Sequence, residues 1–142
     1  MTGLVLYIED NPDNRTLVKR IIESIGCRCE EAPTGLDGLS KAKELRPDVI
    51  LLDINLPDIS GYEVARRMRS SGDQHMVYVP IIAVTANAMK GDSEKVLEAG
   101  CDVYMTKPIN IREMIARITA FMEVIHGQGW DQQGLYNKDD EW

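Results

Sequence analysis

The sequence predicts an α/β protein in which five strands alternate with five helices and form a parallel sheet covered on both faces. Three observations carry this reading. The runs Leu4-Val5-Leu6-Tyr7-Ile8 and Val49-Ile50-Leu51-Leu52 are apolar at every position, as central strands buried on both sides are. Stretches with 3.6-residue apolar spacing separate the strands, and such alternation implies parallel strands with helical crossovers. Both runs also stop on acids, Glu9-Asp10 and Asp53, at the place where an open parallel sheet presents its ligand site.

The elements follow in order. After the strand 4–8, "NPDN" is a turn, and a helix from Asn14 carries Leu17, Val18, Ile21, Ile22 and Ile25 before Gly26 closes it. "CRCEEA" (27–32) is short and charged, which suits an edge strand because charge deters unwanted pairing. Thr34-x-x-Asp37 resembles a capping box opening a helix with Leu36, Leu39 and Leu45, which stops before Pro47. The strand 49–52 leads through Asn55, Pro57, Asp58 and Gly61, all turn-formers, to a short helix over 61–69 with Val64 and Met68 inward. "YVPIIAVTA" (78–86) reads as the fourth strand and ends on Thr85. Residues 88–99 form a fourth helix with Gly91 inside it and a thin apolar face, and "CDVYM" is the fifth strand. Asn110 caps a fifth helix bearing Ile111, Met114, Ile115, Ile118, Phe121, Met122 and Ile125. Residues 126–142 have no periodicity and are expected to be a mobile acidic tail behind a single domain of residues 1–125.

Composition narrows the function. With 142 residues, 44% hydrophobic and 27% charged, the chain is globular, and no apolar run is long enough to span a bilayer. The net charge is −7; the tail carries −3 of it (Asp131, Asp139, Asp140 and Glu141 against Lys138). An acidic protein repels phosphate backbones, which argues against direct nucleic-acid binding. Three cysteines, an odd count without zinc-ligand spacing to His75 or His126, read as reduced core residues of a cytoplasmic protein.

The strand ends gather one chemistry: Glu9 and Asp10 after the first, Asp53 after the third, Thr85 on the fourth and Lys107 after the fifth. A lone Asp53 could cap the following helix, but scattered capping acids would not all fall on one rim. Clustered carboxylates repel one another unless a cation sits among them, and an oxygen site with an incomplete shell suits Mg²⁺ shared with phosphate. A carboxylate can also attack phosphorus to give an aspartyl phosphate. Lys107, the Thr85 hydroxyl and Mg²⁺ could neutralise the transferring oxygens.

The stretches "YIEDNPDNR", "DVILLDINLPDISGYE", "IIAVTANAM" and "AGCDVYMTKPI" occur in that order, and over residues 3–125 the chain resembles a response-regulator receiver domain of two-component and phosphorelay signalling. The resemblance is to single-domain regulators and to receivers of hybrid kinases. It implies a flavodoxin-like, doubly wound sheet of order 2-1-3-4-5; that order is known for receiver proteins and is taken from the family, not from the residues. It also implies Asp53 as phosphoacceptor, with Asp10, Asp53 and the Asn55 carbonyl binding Mg²⁺ and Glu9 reaching the metal through water. Thr85, Ala86 and Lys107 would line the phosphoryl group, with Lys107-Pro108 in cis. Thr85 and Tyr104 would form the switch. Asn55 and Asn87, each two residues beyond a site residue, would border the path of hydrolytic water and slow it. The implied partners are a histidine kinase or histidine phosphotransfer protein and a downstream protein bound on the face of the fourth helix, fifth strand and fifth helix. No direct nucleic acid or membrane insertion is expected, and the state expected is monomer or weak dimer. The chain would catalyse only its own phosphoryl transfer and slow self-dephosphorylation.

Other readings are weaker. A haloacid-dehalogenase-type phosphatase needs an acid two residues after its nucleophile, where this chain has Asn55. A flavodoxin needs phosphate donors in the first loop, where "EDNPDNR" places three acids. A receiver fragment of a hybrid histidine kinase and a phosphorylation-independent adaptor remain as alternatives.

Overall fold

The computed structural model describes residues 3–86 and 92–126. Five parallel strands, β1 (Leu4–Ile8), β2 (Arg28–Ala32), β3 (Val49–Asp53), β4 (Ile81–Thr85) and β5 (Val103–Thr106), lie in the order β2-β1-β3-β4-β5. The α/β class, the parallel sheet and its order are as expected. Six helices surround it among the described residues: α1 (Pro12–Ser24), α2 (Gly35–Leu45), α3 (Gly61–Arg69), α4 (Gln74–Tyr78), α5 (Asp92–Glu98) and α6 (Ile111–His126).

The unbroken apolar runs are explained by two cores. Leu6, Ile8, Ile50, Leu52, Ile81 and Ala83 point to one face, under Ala42, Val64, Met68, Met76 and Val96 of α2 to α5. Val5, Tyr7, Val49, Leu51, Ile82 and Val84 point to the other, under Val18 and Ile22 of α1 and Met114, Ile118 and Met122 of α6. Alternate residues of one strand therefore fill different cores, and none needs to be polar. Removing any of these large side chains costs about 2–5 kcal/mol.

The structure corrects several sequence expectations. The five predicted helices omit α4, a single turn opened by the Asp73 carboxylate, which accepts from the His75 and Met76 amides at 2.9 and 3.3 Å. Too short to show a period, α4 takes Tyr78, so β4 starts at Ile81 rather than Tyr78. The first helix starts at Pro12, not Asn14, because Asn11 caps it and Pro is tolerated at the first helical position. Leu17 and Leu36 face solvent, 55% and 51% exposed. In α2 the buried positions are Gly35, Gly38 and Ala42: a Cβ on Gly38 would strike Ile8 of β1, and one on Gly35 would strike Ile59 and Val64. The fifth strand is shifted to 103–106. Thr34 and Asn110 cap as expected, accepting from the Asp37 and Glu113 amides at 3.0 Å each. Gly91 and the tail beyond His126 lie outside the described residues, and among those described no helix is long and apolar enough to cross a membrane.

Candidate functional site

Parallel pairing brings the acids together. Ile8 of β1 pairs with Leu52 of β3, so the next residues, Glu9 and Asp53, stand side by side at the carboxyl end of the sheet. Both are fully buried or nearly so, at 0% and 1% exposure, while Asp10 on the following loop is exposed. Oxygens of Glu9, Asp10 and Asp53 all lie within 4.8 Å of one another. Thr85 ends β4 next door and is 2% exposed. Its carbonyl accepts the Lys107 amide at 2.8 Å, and the Lys107-Pro108 bond is cis, as the resemblance implied. The Lys107 ammonium donates to Asp53 Oδ2 at 3.1 Å and to Glu9 Oε1 at 3.2 Å.

The cluster is held from behind. Glu9 accepts from the Tyr7 hydroxyl (3.2 Å), the Asn14 amide side chain (3.1 Å) and the Asn11 backbone (3.3 Å) as well as Lys107. Arg15 donates to the carbonyls of Glu9 and Asp10 at 2.9 and 2.8 Å and pairs with Glu31 at 3.2 Å, pinning the acidic loop to the edge strand. The Asn55 amide donates to Asp53 Oδ1 at 3.0 Å, leaving the Asn55 side chain exposed. Asp58 accepts from the Gly35 and Leu36 amides at 2.8 Å, tying the loop after β3 to the start of α2. At Gly61 a Cβ would lie 2.6 Å from the Asp53 carbonyl oxygen and 2.7 Å from the Ile54 Cα, so only glycine lets α3 begin there.

These contacts set the charges. Burial disfavours a charge on Asp53 and, with Glu9 beside it, pushes its carboxyl up to about 6 against the pull of the Asn55 amide and Lys107. Burial acts on Glu9 too, but its donors outweigh it and hold that carboxyl low, at about 2. Burial likewise opposes charge on Lys107, yet its two ion pairs raise its pKa. The Tyr7 hydroxyl is raised by burial and by Glu9, so it remains a donor. One ammonium faces three carboxylates, two of them buried, and the remaining negative charge together with an all-oxygen donor set fits a hard divalent cation such as Mg²⁺.

The structure thus gathers Glu9, Asp10, Asp53, Asn55, Thr85 and Lys107 at one rim, with Ala86 exposed just past Thr85. Asn87 lies outside the described residues. Tyr104 is on the edge strand β5, 38% exposed. Sequence reasoning missed Tyr7, Asn14 and Arg15. Tyr7 was findable: it stands two residues before Glu9 on a strand and so shares its face.

The response regulator receiver domain family matches residues 5–119 of this chain. The chain is a receiver domain. It is 40% identical over 122 residues to the polar-differentiation response regulator DivK of Brucella ovis, covering 86% of this chain and 98% of that protein. The DivK of Brucella anthropi is 41% identical over the same shares. Among solved structures, the receiver domain of sensor histidine kinase PA1611 from Pseudomonas aeruginosa PAO1, with a magnesium ion coordinated in its active site cleft, superposes with a TM-score of 0.77 at 34% identity, covering 86% and 98% of the two chains. The chemotaxis regulator CheY4 of Vibrio cholerae, 24% identical with a TM-score of 0.78 over 85% and 99%, shares the receiver fold. Two-component signalling is therefore the setting in which the buried acids of this receiver domain are to be understood.

Proposed function

We propose that Asp53 accepts a phosphoryl group from the phosphohistidine of a histidine kinase or histidine phosphotransfer protein, and that the modified domain then signals to a protein partner. The carrying observation is Asp53 itself: buried at the sheet's rim, with one oxygen fixed by the Asn55 amide and the other 3.1 Å from the Lys107 ammonium. In the transfer, an Asp53 oxygen bonds to phosphorus as the P–N bond of the donor breaks and the imidazole leaves with its electron pair. Lys107 balances charge on the phosphoryl oxygens, the Thr85 hydroxyl donates to one of them, and Ala86 leaves the approach open. Asp10, Asp53 and the Asn55 carbonyl would hold Mg²⁺, with Glu9 acting through water. Bound there, Mg²⁺ supplies positive charge to the equatorial oxygens. Asn55 and Asn87 offer no general base to an attacking water, so self-dephosphorylation is slow.

The donor needs a surface beside Asp53. A groove of about 520 Å³ between α1 and the start of α6, lined by Leu17, Ile21, Pro108 and Ile111, opens next to Lys107 and supports docking there. Exposed Leu17 and Ile111 give it apolar walls. For output, exposed Leu97 on α5 and Tyr104 on β5 support the α5–β5–α6 face, which is the helix-four, strand-five and helix-five face of the sequence reading renumbered for the extra helix. Three free, buried cysteines suit a reducing compartment, consistent with a cytoplasmic protein.

Acetyl phosphate with Mg²⁺ tests the reading: the chain gains one acid-labile phosphoryl group by intact mass, and Asp53→Asn gains none. Stoichiometric labelling of Asp53→Asn overturns the acceptor, and an unlabelled wild type favours the phosphorylation-independent adaptor.

A further inference from the structure

At the end of the sheet opposite the carboxylates lies a second groove, of about 330 Å³. One wall is Tyr78, Val79 and Pro80, where α4 passes into β4; the other is Val124 and Ile125 in the last turn of α6. Its polar members are already engaged in the fold. His75 Nε2 bonds the Pro47 carbonyl at 2.6 Å, and the Asp48 carboxylate accepts the Leu4 amide at 2.8 Å. What remains to be covered is apolar: Tyr78 is 75% exposed and Val124 is 53% exposed, on facing walls.

The chain's own continuation starts at this groove. The last turn of α6 forms one wall, and "GQGW" follows His126 directly. Two glycines in three residues permit a sharp reversal. Trp130 is the first large apolar residue after α6, only four residues on, and about 13 Å of contour suffices to bring it back over Tyr78. An indole on so short a tether is presented at roughly millimolar effective concentration, which no free partner matches at ordinary levels. We propose that Trp130 is the occupant of the apolar groove between α4 and the end of α6. This inference does not rest on the phosphorylation reading, because the groove and Asp53 are at opposite ends of the strands.

The only two tryptophans, Trp130 and Trp142, lie in that segment, so fluorescence reports on it without background. In a full-length Trp142→Phe chain, Trp130 is expected to emit to the blue of the urea-unfolded chain and to be quenched by acrylamide about threefold less, as a predominantly docked tether requires. Tyr78→Ser and Val124→Asp both change exposed positions that the fold can spare, and each is expected to remove at least about half of that protection. Folding of either variant is checked by circular dichroism, and the other carries the test if one fails. Quenching equal to that of the unfolded chain overturns the proposal, as does protection untouched by both variants. Protection that falls on dilution, with a dimer in sedimentation velocity, overturns it too, by seating the segment on a second copy.

Discussion

Asp53 is destabilising when ionised in the metal-free protein, and that has a sign. Its carboxyl is raised from 3.8 to about 6, so the stability it contributes is complete below about pH 4 and is lost as pH rises through 6. Glu9, held low, works oppositely, and its contribution is lost only as pH falls from about 4.5 towards 2. Asp53→Asn removes the first term, so without metal the variant is expected to be more stable at pH 7 by on the order of 1–3 kcal/mol in urea titrations. Its advantage should vanish near pH 4; an equal advantage at both pH values contradicts the assignment. Mg²⁺ titrations followed by calorimetry are expected to show a larger loss for Asp10→Ala than for Glu9→Ala, since direct ligation is assigned to Asp10. Wild-type affinity in Asp10→Ala would falsify that ligand set. The phosphoryl half-life is expected to be minutes or longer, and a half-life of a second would show that Asn55 and Asn87 do not border the water path as proposed. The acids at this scale were legible because each ends a strand or directly follows one. Asn14 and Arg15 were not, because their roles depend on how the first turn of α1 folds back onto the loop.

The elements differ in how firmly the sequence announces them. α6, by its period, and the two all-apolar strands, by their unbroken runs, can be read directly, whereas α4 is one turn opened by the Asp73 carboxylate. Leu36 misled because the buried positions of α2 are the small residues Gly35, Gly38 and Ala42, and Leu17 because α1 buries Val18 and Ile22 and leaves Leu17 to line the groove beside Lys107. The start of α3 depends on one small residue. Gly61→Ala forces a methyl against the Asp53 carbonyl and Ile54 backbone, so a loss of about 2–3 kcal/mol is expected together with slower acetyl-phosphate labelling. Normal labelling and stability in that variant would mean that α3 can shift without moving Asp53. α5 is the contrasting case, with seven described residues and Leu97 54% exposed. Beryllofluoride with Mg²⁺ is expected to alter amide exchange in 86–106 more than in α2, because on the proposed switch a Thr85 hydroxyl drawn to the phosphoryl group would leave room for Tyr104, and exposed Leu97 adds little packing to hold α5. A larger change in α2, or unaltered partner binding by Tyr104→Ala, removes this switch.

For the whole molecule, the class, strand order and position of the site were legible from alternation, from the family resemblance and from the polarity of parallel strands. The groove at the base was not, since it joins α4, which has no period, to the end of α6, far along the chain from Tyr78. The proposed docking would give a surface to a segment that sequence alone leaves mobile. Truncation after His126 is expected to leave the labelling rate unchanged and, with Trp130 docked, to lower Tm by about 3–6 °C. An unchanged Tm would return the segment to the mobile tail of the sequence reading. The separation of the two ends has a practical side. The five-residue central strands put roughly 17 Å between the carboxylate rim and the base, about twice the screening length in physiological salt. Through solvent, charge at the rim is therefore largely screened at the base, and a dye or affinity handle fixed on the last turn of α6 would scarcely sense a change at Asp53.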